Sequence, residues 1–178
     1  MKLKISEIFK ALILTGILLV LLELFSSTIL PIFGIKSIRL SFNILIILFL
    51  ALRLNSSALP YCILTLQWVH SIFSIEGWAI GTIAGIIISL LVNALKDIIH
   101  MNTKASTMMV VQIFQIVWFV LVSLMLSFKT NNFEIFTQFF SRFLLQSVVL
   151  SILSPFLFIV LAKIWKKGNS YNGAGVSI

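Results

Sequence analysis

The chain has 178 residues, 60% hydrophobic and only 10% charged, with a mean hydropathy of +1.16. A soluble domain of this size needs a polar exterior that so few polar residues cannot cover, so the composition points to a polytopic integral membrane protein. The formal charge of +8 is no nucleic-acid signature, because the lysines and arginines gather at the ends and in short connections, where they orient membrane helices and meet anionic headgroups.

The expected fold is all-α, a membrane helix bundle of about six transmembrane helices, each needing about 17–25 apolar residues. In chain order the spans are Ala11–Ile32, Ile38–Leu54, Ala58–Phe73, Gly77–Leu95, Ser106–Phe128 and Phe139–Trp165. Lys2, Lys4 and Lys10 ahead of the first apolar run imitate a signal peptide. The run is nevertheless long enough to span, and Leu22-Glu23-Leu24-Phe25-Ser26-Ser27 makes a poor small-residue cleavage site, so a retained helix is expected. The second and third spans are short and joined by the turn Asn55-Ser56-Ser57, with Pro60 in the next first turn. A five-span alternative, with one of the two re-entrant, therefore stays open.

Charge sets the expected orientation. With a cytoplasmic N-terminus the inner side receives Lys2, Lys4, Lys10, Arg53, Lys96, Lys104, Lys163, Lys166 and Lys167, and the outer side only Lys36, Arg39 and Lys129. Arg142 lies near the start of the last span. This positive-inside bias places both termini in the cytoplasm. Residues 1–167 read as a single membrane domain and 168–178 as a flexible cytoplasmic tail. Cys62 is alone, so neither an intramolecular disulfide nor a cysteine metal site can be built.

Three sets of residues stand out. Gly77, Gly81, Gly85 and Ser89 recur every fourth position through the fourth span and leave one helix face nearly bare, a stripe that admits another helix closely in lipid. Packing within the chain is the commoner use of such a face, and a seam to a partner is the alternative. Glu23 is the acid deep in a span; bookkeeping of depth pairs it with Gln146 and Arg142 on the last helix as an intramembrane polar clamp, with a functional carboxyl as the alternative. Asn43, Gln67 and His70 form an expected outer polar cluster. A metal role for His70 is disfavoured because His100 falls in a distant loop. Gln112 and Gln115 are expected to bridge helices, and Trp68 and Trp118 to pack. No metal cluster, phosphate loop or nucleophile–base constellation is legible in the spacing. The expectation is a protein without catalytic residues or cofactors, working by packing against other proteins in the bilayer.

The order of parts resembles the rod shape-determining protein MreD family of small bacterial inner-membrane proteins. The resemblance is carried by Ser41-Phe42-Asn43-Ile44-Leu45-Ile46-Ile47-Leu48-Phe49-Leu50-Ala51-Leu52-Arg53, then Leu66-Gln67-Trp68-Val69-His70-Ser71, then Gly77-Trp78-Ala79-Ile80-Gly81. In the last helix Ser151-Ile152-Leu153-Ser154-Pro155-Phe156-Leu157 supplies a mid-helix proline and Lys163-Ile164-Trp165-Lys166-Lys167 a basic end. His70 stands where the family often carries an acidic residue. The resemblance implies a multi-pass protein of the bacterial inner membrane, acting as a scaffold of the cell-elongation machinery. Its implied partners are an MreC-like protein and the glycosyltransferase and penicillin-binding protein that build sidewall peptidoglycan. Members of the family look structurally like the substrate-binding subunits of energy-coupling-factor vitamin transporters, which supplies the alternative function.

Overall fold

The computed structural model describes residues 5–32, 40–54, 58–74, 77–95, 103–132 and 134–165. Among them every regular element is helical. Helix α1 (Ile5–Leu24) continues through a π-helical turn, Phe25–Ile29, into the short piece Leu30–Ile32. It is followed by α2 (Asn43–Arg53), α3 (Leu59–Ser71), α4 (Gly77–Leu95), α5 (Lys104–Thr130) and α6 (Glu134–Trp165).

Among the described residues four helical stretches are long and apolar enough to cross a bilayer: Ser6–Thr28, Gly77–Leu95, Lys104–Thr130 and Arg142–Trp165. The expected second span is not one of them. Helix α2 has 11 residues, and at 1.5 Å per residue that is roughly half of a hydrocarbon core of about 30 Å. Its hydrophobicity has another cause. Every residue from Asn43 to Ala51 is buried, and the helix packs on α3, α4, α5 and α6 together. A helix surrounded on all sides reads as apolar all round, as a spanning helix does, and only its length separates the two. Helix α3, with 13 residues, is likewise shorter than a span.

Local chemistry explains the boundaries of the longer helices. Thr103 caps α5, its Oγ1 accepting from the Ser106 N–H at 3.1 Å. Asn131 ends α5 in the left-handed region at φ 50°, a conformation asparagine tolerates. The side chain of Asn132 then accepts from the Glu134 N–H at 2.9 Å and starts α6. Inside α6, Pro155 cannot donate to the Ser151 carbonyl four residues back. The Ser154 hydroxyl takes that acceptor instead, at 2.7 Å, so no backbone carbonyl is orphaned in an apolar medium. In the π-turn of α1 the helix widens just ahead of Pro31, whose ring crowds the carbonyl four residues before it.

Polar pairs lock the long helices to one another. Gln112 on α5 donates to the Ser147 Oγ at 2.9 Å and accepts from the Ser151 Oγ at 2.7 Å, both on α6. Gln115 donates to the Ser151 Oγ at 3.3 Å. The expected bridging by these glutamines is what the structure shows. At the other end of the bundle the Trp165 indole N–H donates to the Thr15 Oγ1 at 3.0 Å, fastening α6 to α1. Trp118 is buried as expected, whereas Trp68 is 62% exposed; a tryptophan on an outward helix face meets lipid rather than protein.

Candidate functional site

The polar centre of the protein is assembled from α1, α3 and the segment leading into α2. Glu23 closes the regular part of α1 and His70 sits in the last turn of α3. These two helices pack together, which brings the His70 Nδ1 to 3.1 Å from the Glu23 Oε1 with both side chains at most 3% exposed. The oxygen lies off the ring N–H direction, so the contact is a close polar approach rather than an aligned hydrogen bond. The other ring nitrogen, Nε2, is 3.5 Å from the Ser41 Oγ. One residue earlier, the Leu40 N–H donates to the Ser26 Oγ at 2.7 Å, and Ser26 lies in the π-turn just beyond Glu23. Glu23, His70, the Leu40–Ser41 segment and Ser26 thus close a ring of polar contacts across three parts of the chain. Burial of a lone carboxyl or imidazole is costly, and pairing the two is what makes both tolerable inside an apolar bundle.

This partnership corrects the expected clamp. Depth pairs Glu23 with Gln146 and Arg142, but the close polar contact of Glu23 is made to His70. Arg142 is exposed on α6, and Gln146 lines a pocket between α2, α5 and α6. Depth along a helix was the only available signal. Which neighbour a residue at that depth meets depends on the rotation and order of the helices, which depth does not contain.

Asn43, Gln67 and His70 are all buried, and His70 belongs to the ring just described. Asn43 and Gln67 each bury both side-chain amide atoms without a hydrogen-bond partner among the described residues, an uncommon state for buried amides. Gln67 lies against the glycine stripe. A Cβ placed on Gly81 would collide with the Gln67 Oε1 and stand 2.9 Å from its Cδ. A Cβ on Gly85 would meet the Ile63 Cγ2 at 2.8 Å and the Ile47 Cδ1 at 3.2 Å. Gly81 and Gly85 are therefore seats for α3 and α2 of the same chain, the internal of the two uses open to the stripe. Ser89 is buried on α4, its hydroxyl donating to the Ile86 carbonyl. Gly77 does not belong to that seam. It has no atom within 4 Å of its would-be Cβ, and its φ of +74° shows that glycine is needed there for the backbone alone.

The pocket has a volume of about 90 Å³ and is partly open. Ser41 and Ile44 line it from the start of α2, Gln115, Trp118, Phe119 and Val122 from α5, and Phe143, Gln146, Ser147 and Leu150 from α6. Phe119 and Phe143 stack at 4.3 Å between ring centres and stiffen one wall. The Gln115 Oε1 is buried without a partner among the described residues. Ser41 thus belongs to two arrangements, facing His70 and also bordering the pocket.

Among the described residues no group of three His, Cys, Asp or Glu side chains could hold a metal ion. Cys62 is buried with a free thiol. The expected tail at 168–178, and Lys2, Lys4, Lys36, Arg39, Lys96, His100, Lys166 and Lys167, lie outside the described residues. Compared with protein-family models, curated proteins and solved structures, the chain matches none.

Proposed function

We propose that this protein is a membrane scaffold of the MreD type, holding elongation enzymes together in the bacterial inner membrane. The observation that supports it is the state of the bundle interior. Among the described residues, the pocket bounded by α2, α5 and α6 has a volume of about 90 Å³, well below the roughly 300–1,000 Å³ of a typical small-molecule site. The central space is taken by α2 instead. A transporter subunit needs that space for its solute; a scaffold needs only outward faces. Such faces are present, for example Phe9, Ile13, Ile17 and Leu21 along α1, each at least 48% exposed.

Co-purification from native membranes separates the two readings. The scaffold brings down an MreC-like protein with the glycosyltransferase and penicillin-binding protein of sidewall synthesis. Recovery of ATPase subunits instead would establish the transporter reading and overturn this one.

The proposal includes six membrane-embedded helices with both termini cytoplasmic, supported by the distribution of basic residues. Helices α2 and α3 then form a short pair, with α2 enclosed by its neighbours and α3 keeping an outward face at Tyr61, Leu64 and Trp68. Reporter fusions at Lys10 and Lys167 are both expected to score as cytoplasmic. One on each side would mean an odd number of crossings.

A further inference from the structure

A scaffold needs no chemistry, yet the interior holds one arrangement suited to it. Ser41, His70 and Glu23 are neighbours: the hydroxyl Oγ is 3.5 Å from the imidazole Nε2, and the carboxyl Oε1 is 3.1 Å from Nδ1. Each imidazole nitrogen is near a group of the kind that nucleophilic catalysis uses, a hydroxyl on one side and a carboxylate on the other. Such a constellation is recognised by geometry and roles, not by order in the chain, and its contacts are often long before substrate binds.

Two further features bear on Ser41. It borders the partly open pocket, whose other walls are largely apolar and aromatic. It also lies two residues ahead of α2, an 11-residue helix whose N-cap position, Phe42, offers no side-chain cap. The first N–H groups of a helix point back along its axis toward the preceding residues, where they can stabilise a developing oxyanion.

We propose that Ser41, His70 and Glu23 form a catalytic triad that cleaves a carboxylic ester whose short acyl group enters the pocket. Ser41 Oγ attacks the ester carbonyl carbon while its proton passes to His70 Nε2, and a new C–O bond forms. Collapse of the tetrahedral intermediate breaks the bond to the alcohol, which leaves with the proton from Nε2. Water then attacks the acyl-serine and gives a proton to Nε2. The second collapse returns that proton to Ser41 Oγ and releases the carboxylic acid. Glu23 is the positioning residue: its carboxyl, 3.1 Å from Nδ1, offsets the charge of the imidazolium and aligns with the Nδ1–H as that charge develops. The ester can come from water or from a lipid; the catalytic groups required are the same.

The test uses the full-length protein in lipid nanodiscs with a fluorophosphonate probe, which bonds covalently to activated serines. Wild type is expected to be labelled, with the adduct mapped to Ser41 by mass spectrometry. Ser41→Ala abolishes labelling, and His70→Gln slows it at least about 100-fold, in keeping with loss of a general base. Glu23→Gln slows it while Glu23→Asp restores part of the rate. A merely structural Glu23 would be replaced better by the isosteric Gln than by the shorter Asp, the reverse of this order. Because loss of Glu23 or His70 can loosen the bundle, Ser41→Ala carries the assignment. No wild-type labelling, an adduct on another serine, or labelling that survives Ser41→Ala overturns the proposal. Hydrolysis of p-nitrophenyl butyrate marks a water-borne ester, and butyrate release from vesicles containing a phosphatidylglycerol with one butyryl chain a lipid-borne one. Hydrolysis of either that survives Ser41→Ala also counts against the triad. The outcome is independent of co-purification, so the scaffold and the triad fail separately.

Discussion

Gly85→Leu is expected to leave little folded protein in the membrane, and even Gly85→Ala is expected to lower its stability. The first methyl at this position meets the Ile63 Cγ2 at 2.8 Å and the Ile47 Cδ1 at 3.2 Å. Ile63 is fully buried and β-branched, so its Cγ2 cannot retreat without leaving its preferred rotamer or moving α3. Overpacking of this kind costs roughly 1–3 kcal/mol, of which the better helix propensity of alanine returns about 1. Leucine adds three more carbons in the same direction and should cost about 3 kcal/mol or more.

Gly81→Ala makes a useful contrast. Its nearest neighbour is the amide end of Gln67, a flexible side chain that can rotate away. Gly81→Ala should therefore stay within about 1 kcal/mol of wild type, the gain in propensity offsetting the shift. Steady-state level in membranes and resistance to denaturation in mixed micelles read the difference directly. If Gly85→Ala proved as stable as Gly81→Ala, the close approach of α3 and α2 to this face would be wrong. Partner recovery is a separate readout. Because the two glycines are occupied from within, a Gly81→Ala protein of normal abundance should still bring down whatever the wild type does.

The second large effect is expected from splitting the Glu23–His70 pair. Glu23→Leu leaves an imidazole with no carboxylate in an apolar interior, and His70→Leu leaves the carboxyl alone. Removing one partner of a buried pair typically costs 3–5 kcal/mol, roughly, because the survivor is uncompensated. Replacing both by leucine removes the survivor as well, so Glu23→Leu/His70→Leu should recover much of the loss. Glu23→Gln should fall between, since the amide oxygen still offers His70 an acceptor. A thermodynamic cycle on unfolding in mixed micelles measures the coupling. Additive losses in the double variant would mean that the two side chains do not meet.

Membrane class and the longer helices were legible because they depend on local properties of the chain. Mean hydropathy alone removes the soluble alternatives, and Gly77–Leu95 agrees residue for residue with α4 because a glycine in the left-handed region fixes its start. The expected Phe139–Trp165 falls five residues short of the start of α6, where Asn132 supplies a cap outside the hydrophobic run. Bridging by Gln112 and Gln115 was also legible, since amides in an apolar helix must find partners and the neighbouring helix is rich in serine.

Only the tertiary structure decided the rest. Helix α2 looked like a span because burial in protein and immersion in lipid select the same residues; its surroundings, not its composition, make it the core. The glycine stripe announced a close contact without saying with what, and Ile63, Ile47 and Gln67 answer that from other helices. Glu23 showed its need for a partner in sequence, but His70 became that partner through the packing of α1 on α3. Ser41 carried no signal at all. An ordinary serine before a short helix gains its place beside an imidazole and a pocket only when helices distant in sequence converge, and that convergence is a property of the whole bundle.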